Sequence, residues 1–154
     1  MKKNLRILTS VLLILTVIQI HTQAKDSKTM HSIIPAPVSF HSAKGSFSIK
    51  PGTLILTNSS SKELSRLAST LNEAISNLGI APLAIATLSE TSLPAGSILL
   101  SIDNYSEINN NEGYILEVSK KGILLKATSG KGIFYGIQTL IQLMPVPGYD
   151  KKEL

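Results

Sequence analysis

The segment from Lys131 to Met144 constrains the fold more than any other part of the chain, because it is apolar over most of a helix's circumference. One apolar stripe at helical spacing consists of Ile133, Ile137, Leu140, Ile141 and Met144. The further apolar residues beside this stripe are Phe134, Tyr135 and Leu143. Pro145 and Pro147 end the segment. Such a helix is expected to be buried on more than one side.

Three glycines, Gly130, Gly132 and Gly136, open this helix directly after a predicted strand, as a dinucleotide-binding fingerprint would. The third glycine is one residue too late for G-x-G-x-x-G, and no second strand or ribose-binding acid follows it. The G-K-[ST] of a Walker phosphate loop is missing as well. The glycines instead predict a close approach between the helix and its neighbours.

A second helix is predicted upstream, with a polar face that carries Lys62 and Arg66. Its apolar face consists of Leu64, Leu67, Ala68, Leu71, Ala74, Ile75 and Leu78. Ser60 and Glu63 have the spacing of a capping box, and Gly79 stands where a C-terminal cap is expected. This helix is therefore expected to pack along one side only.

Short runs of alternating or continuous apolar residues predict the strands. They are Gly45–Ile49, Thr53–Leu56, Leu83–Ala86, Ser97–Ile102, Gly113–Val118 and Ile123–Ala127. Residues 119–122 between the last two contain a glycine and predict a hairpin turn. The fold class predicted is α+β, a mixed and largely antiparallel sheet with two helices packed on one face as a two-layer sandwich.

Residues 1–24 have the layout of a secretory signal, with Lys2, Lys3 and Arg6 before an apolar run and a small-x-small site at Thr22 to Ala24. Residues 25–32 are expected to be a flexible mature N-terminus. We expect an exported product, periplasmic or extracellular in a bacterium, without a stable membrane anchor after cleavage. The alternative is an uncleaved anchor. The chain has no cysteine, which excludes disulfides and a lipoprotein anchor.

The charge balance argues against a nucleic-acid partner. The formal net charge is +5, and removal of the three basic residues of the signal leaves +2. The remaining Lys and Arg residues are scattered along the chain, whereas a nucleic-acid surface needs a clustered basic stripe. About 130 residues then remain, enough for one modest core.

Residues that could carry chemistry by themselves are not arranged to do so. His21, His31 and His41 have no acid at ligand spacing, so no metal site and no cofactor are expected. The densest acids, Asp103, Glu107, Glu112 and Glu117, have the pattern of solvated charges. No serine lies in G-x-S-x-G. Tyr105 and Tyr149 are the aromatics expected to be free for a sugar ring. No catalytic and no substrate-binding residue is predicted.

Two segments of the chain resemble segments of one known protein family. Residues 33–38, Ile-Ile-Pro-Ala-Pro-Val, followed by Gly45–Ile49, resemble the opening of the family 20 glycoside hydrolases, the β-N-acetylhexosaminidases. The run G-x-x-Y-G-x-Q-T-L-x-Q-L from Gly132 to Leu143 resembles the end of the same N-terminal domain and is the more specific of the two. The resemblance covers nearly all of residues 31–145.

The resemblance implies a partner and a mechanism outside this chain. In such enzymes the helices also lie against a following (β/α)8 catalytic barrel. There the substrate's acetamido oxygen attacks the anomeric carbon, a Glu acts as general acid, and the preceding Asp steers the acetamido group. This chain has neither the Asp-Glu pair nor the Arg-Gly segment of that barrel. A glycan substrate is therefore expected only through the barrel.

The resemblance leads to a prediction of domain organisation and interface. Residues 33–145 are expected to form the accessory domain, and residues 146–154 a truncated linker toward an absent barrel. Phe134, Tyr135 and Leu143 are predicted to be the surface that contacts the barrel. Two alternatives remain open: a stand-alone envelope domain that binds glycan or protein, and an accessory domain of another glycosidase family.

Overall fold

The computed structural model describes residues 33–88 and 93–145 of the chain. The elements in these ranges are β1 (Leu54–Thr57), α1 (Lys62–Asn77), β2 (Ala84–Thr87), β3 (Ser97–Ile102), β4 (Tyr114–Ser119), β5 (Gly122–Ala127) and α2 (Gly130–Leu143). Neither of these two helices is long and apolar enough to cross a membrane. The predicted signal, the flexible N-terminus at 25–32 and the linker at 146–154 lie outside the described residues.

The described strands form one sheet in the order β2-β1-β3-β5-β4. Three neighbouring pairs are parallel (β1 with β2, β1 with β3, β3 with β5), and β4 pairs with β5 antiparallel. The predicted α+β class and mixed sheet are confirmed, but the predicted predominance of antiparallel pairs is wrong. The reason lies in the connections, because a helical crossover such as α1 returns the chain in its original direction.

Rows of apolar side chains cross the sheet on the face that carries both helices. Ile55, Ile98 and Ile123 are register neighbours on β1, β3 and β5, and all three are buried. Helix α1 covers this face with Leu64, Leu67, Ala68, Leu71 and Ile75, and helix α2 with Ile133, Ile137 and Leu140. The predicted two-layer packing, with both helices on one face, is therefore confirmed.

The ends of α1 follow from local hydrogen bonds. Ser61 is the N-cap, since its Oγ accepts a hydrogen bond from the Leu64 N–H at 3.2 Å. The predicted capping box that begins at Ser60 is therefore wrong by one residue. Gly79 has a φ of 82° and donates its N–H to the Ser76 carbonyl at 2.9 Å. The predicted glycine cap is confirmed, because this left-handed conformation favours glycine.

The predicted strands agree with the structure to within one residue at each end, except for the first. Residues 45–49 do not pair with a neighbouring strand. Phe47 and Ile49 are half-buried against the core while Ser46 and Ser48 are exposed, so the predicted alternation is present. Alternation indicates which side chains face a core, but a strand also needs a partner for its backbone groups.

Side-chain amides hold two of the connections in place. Asn58 follows β1, and its Oδ1 and Nδ2 bind the N–H and the carbonyl of Ile102 at 3.1 and 2.9 Å. Asn72 on α1 makes the same pair of bonds with Leu83, both at 2.8 Å. Each side-chain amide thus accepts from the N–H and donates to the carbonyl of one residue, the same two groups that a neighbouring strand would bind. Asn72 therefore fixes where β2 begins relative to α1.

Candidate functional site

The start of α2 is tied to the loop that precedes β4. Ser129 is the N-cap, and its Oγ accepts hydrogen bonds from the N–H groups of Lys131 and Gly132 at 3.1 and 3.4 Å. The same hydroxyl donates to the carbonyl of Asn111. Thr128 donates to the carbonyl of Asn110 at 3.2 Å. The Ser129 cap and the Thr128 hydrogen bond therefore attach the start of α2 to this loop.

The glycines of α2 lie against protein atoms. A Cβ on Gly132 would collide with the carbonyl oxygen of Gly113 and stand 2.7 Å from the Ala127 Cβ. A Cβ on Gly136 would collide with the side chain of Leu125. Gly130 is similarly closed off by Glu63. The predicted packing role of the three glycines is confirmed, since a Cβ at each position would collide with neighbouring protein atoms.

The inward side of α2 is the predicted apolar stripe. Ile133, Ile137 and Leu140 are buried, and Ile141 and Met144 are partly buried against the core. Thr139 is buried as well, and its Oγ1 lies within hydrogen-bond distance of the Tyr114 hydroxyl, 2.5 Å away. The polar atom on this side of the helix is therefore satisfied.

The outward side of α2 presents aromatic surface. Phe134 and Tyr135 are 43% and 44% exposed, and their rings meet edge to face with centroids 5.7 Å apart. Leu143, the third residue of the predicted interface, is half-buried. The structure thus brings Phe134 and Tyr135 together at the N-terminal half of α2 and places Leu143 at its end. Contact of these three residues with a barrel stays a prediction.

An open hollow of about 240 Å³ lies beside the two aromatic rings. It is lined by Glu63, Arg66, Leu67, Glu112, Gly130, Lys131, Phe134 and Tyr135. The charged residues in this lining include both signs. The hollow thus combines exposed aromatic rings with charged side chains of both signs.

The residues considered for chemistry are dispersed. Asp103, Glu107, Glu112 and Glu117 are all exposed, and the Glu117 carboxylate lies 3.5 Å from the Lys126 ammonium. Among the described residues no group of three or more His, Asp or Glu side chains could hold a metal ion. His21 and His31 lie outside the described residues. Glu63 and Glu112 both line the hollow beside the aromatic rings, and both are exposed to water, as are the other acids of the described residues.

The expectation that Tyr105 is free for a sugar ring is wrong. Its hydroxyl lies 2.6 Å from the Oγ of the buried Ser101, and the Lys126 ammonium lies 5.7 Å from its ring centroid. Ser101 and Lys126 are register neighbours on β3 and β5, so Tyr105 covers the sheet face opposite the helices there. Tyr149, the other aromatic considered, lies outside the described residues.

One contact at the end of α2 was not predicted. The side-chain amide of Gln142 binds the backbone of Ile34, accepting from its N–H at 2.9 Å and donating to its carbonyl at 3.0 Å. These residues are 108 positions apart in the sequence. The contact joins the two segments that carry the family resemblance. An amide on the outward side of a helix was its sole sequence signal.

Comparisons with known proteins agree with this arrangement. The sequence profile of "Glycosyl hydrolase family 20, domain 2" matches residues 30–151. A β-hexosaminidase of Porphyromonas gingivalis is 32% identical over 123 residues, which cover 80% of this chain and 15% of that protein.

Solved structures give the same result. The N-acetyl-β-hexosaminidase of Streptomyces plicatus matches with a TM-score of 0.62 and 29% identity, over 73% of this chain and 21% of that one. The family 20 enzyme of Streptomyces coelicolor A3(2) matches with the same values. The chain thus spans about a fifth or less of these relatives, in which domain 2 normally shares its chain with a catalytic barrel. This chain therefore belongs to glycosyl hydrolase family 20, as an N-terminal, non-catalytic domain 2 of the β-hexosaminidase type.

Proposed function

We propose that this domain supports the catalytic barrel of an exported β-N-acetylhexosaminidase. The observation that carries the proposal is the outward side of α2. Phe134 and Tyr135 are more than two-fifths exposed there, while the opposite side of the same helix is buried against the sheet. Covering the exposed part of each ring would contribute about 1 kcal/mol to docking. Leu143 extends the same interface at the end of the helix.

In this proposal the barrel alone catalyses hydrolysis of the glycosidic bond. Hydrolysis of a terminal N-acetylhexosamine needs an acid held in a cleft, and the acids of the described residues are exposed to water. The domain's contribution would be a rigid layer against which the barrel's own helices pack. The close seating of Gly132 and Gly136 on the sheet makes α2 suited to that role.

Activity measurements test this proposal directly. The purified 154-residue chain is expected not to release nitrophenol from 4-nitrophenyl N-acetyl-β-D-glucosaminide. A hybrid enzyme, in which residues 33–145 replace the matching segment of the Porphyromonas gingivalis relative, is expected to release it. Turnover by the 154-residue chain would contradict the non-catalytic role. Calorimetric binding of chitooligosaccharide to that chain would favour a stand-alone glycan-binding domain instead.

Export is proposed from the layout of residues 1–24. Expression of the full 154-residue chain in a bacterium should yield a periplasmic product. N-terminal sequencing of that product should begin near Lys25, after the small-x-small site. Retention of Met1 on a product in the cytoplasmic fraction would contradict export.

A further inference from the structure

The N-terminal segment is fastened to the exposed side of α2. The Gln142 amide makes both of its hydrogen bonds to the backbone of Ile34. Ile33, one residue earlier, is buried, whereas the Ile34 side chain is 76% exposed. The backbone of Ile34 is therefore held by two bonds while its apolar side chain points away from the domain's own core.

Gln142 lies on the same line of α2 as Tyr135. The two positions are seven residues apart, which is close to two helical turns and about 11 Å along the axis. Gln138 lies between them and is also exposed. The aromatic pair at one end of the outward side and Ile34 at the other thus border a single strip of surface.

Water could satisfy the exposed backbone groups of Ile34 nearly as well as Gln142 does, so the two bonds add little to the stability of the isolated domain. What they do is hold the backbone of Ile34, and with it the base of an apolar side chain, at the edge of that strip. A fixed, exposed isoleucine loses less conformational entropy on contact than a mobile one would.

We propose that Ile34, positioned by Gln142, is part of the surface that docks on the catalytic barrel. The inference rests on the proposed function. Gln142 is the last but one residue of α2, so Ile34 lies beside the C-terminal end of the helix whose outward side is proposed to contact the barrel. The interface then runs the whole length of α2 and joins the first and last segments of the domain.

The hybrid enzyme tests this, with the rate of heat inactivation as the measurement. Phe134→Ala serves as the reference for docking through the aromatic pair. Ile34→Ala is expected to accelerate inactivation at least about fivefold, as loss of buried apolar area predicts. Val38→Ala is the matched control, because Val38 is a fully exposed apolar residue of the same segment. Gln142→Ala should accelerate inactivation, and Asn77→Ala, which removes an exposed amide at the end of α1 and outside the proposed interface, should not.

The outcomes separate the two proposals. If Phe134→Ala accelerates inactivation and Ile34→Ala behaves like Val38→Ala, the inference about Ile34 is wrong and the proposed function stands. If neither Phe134→Ala nor Ile34→Ala has an effect, the proposed function fails. If the hybrid does not accumulate in soluble form, the 154-residue chain is titrated calorimetrically into the relative's barrel segment. The same variants should then weaken binding in the same order, and an unchanged affinity for Ile34→Ala overturns the inference.

Discussion

Helices α1 and α2 lie side by side on one face of the sheet and bury similar apolar stripes, but their outward sides differ. Helix α1 exposes Lys62, Arg66 and Glu73, as expected for a helix in contact with water. Helix α2 exposes Phe134 and Tyr135 in the corresponding layer. Both helices bury an apolar stripe against the same sheet, so their packing on the sheet does not account for the difference between their outward sides.

The two helices also differ in how closely they approach the sheet. Helix α1 contains no glycine, and it meets the sheet through side chains such as Leu64 and Leu71. Helix α2 places Gly132 and Gly136 where a Cβ would collide with the carbonyl of Gly113 or with Leu125. The approach of α2 to the sheet therefore depends on glycine, whereas that of α1 does not.

The largest predicted effect concerns the buried side chains by which both helices pack against the sheet. Leu71→Ala on α1 and Ile137→Ala on α2 each remove a fully buried side chain. Each should lower the free energy of unfolding by about 3 kcal/mol, from lost transfer energy and the remaining cavity. Urea denaturation of the 154-residue chain measures this, with Ser69→Ala as an exposed control. A cost below about 1 kcal/mol at Ile137 would mean that α2 is not part of the core.

The close approach of α2 to the sheet at its glycines predicts the next largest effect. Gly132→Ala should lower the free energy of unfolding by about 2 kcal/mol, because the new methyl meets backbone and Ala127, which have little room to move. Gly136→Ala should cost less, since the end of the Leu125 side chain can rotate away. Lys131→Ala, at an exposed neighbour, is the control. Equal stability of Gly132→Ala and the unsubstituted chain would rule out close packing.

Helix α1 makes a specific contact of its own, the pair of hydrogen bonds between the Asn72 amide and the backbone of Leu83. Asn72→Asp removes the N–H donor to the Leu83 carbonyl and sets a carboxylate oxygen against it. The expected loss is about 1.5 kcal/mol in the free energy of unfolding, measured by urea denaturation. Asn77→Asp at the exposed end of the helix is the matched control and should cost about 0.5 kcal/mol or less. Similar losses for both variants would contradict a specific role for the Asn72 amide.

The amphipathic pattern of both helices could be predicted because a stripe such as Leu64, Leu67 and Leu71 depends on local spacing alone. The packing role of Gly132 followed from its failure to match a nucleotide fingerprint. Strand direction could not be predicted in the same way, since it depends on which strands become neighbours. The hairpin at residues 119–122 is local, and it was predicted correctly.

Contacts between distant segments were missed for the same reason. Nothing near Gln142 in the sequence indicates that its amide meets Ile34, and nothing near Tyr105 indicates that Lys126 on β5 lies over its ring. Both contacts involve side chains that look solvated in a helix or a polar loop. Their roles become visible only when the topology has placed the segments together.

The smallest predicted effect addresses the outward sides directly. Arg66→Gln should change the free energy of unfolding of the 154-residue chain by about 0.5 kcal/mol or less, because its side chain is exposed. Tyr135→Gln should lower it by about 1 kcal/mol, because it also removes the edge-to-face contact with Phe134. Urea denaturation provides the measurement. In the hybrid enzyme the two variants should separate further, since a barrel would cover Tyr135 and desolvate the introduced amide. Tyr135→Gln should then inactivate faster on heating than Arg66→Gln. Identical inactivation rates would mean that α1 and α2 face the same surroundings, and that the aromatic side of α2 does not identify the docking surface.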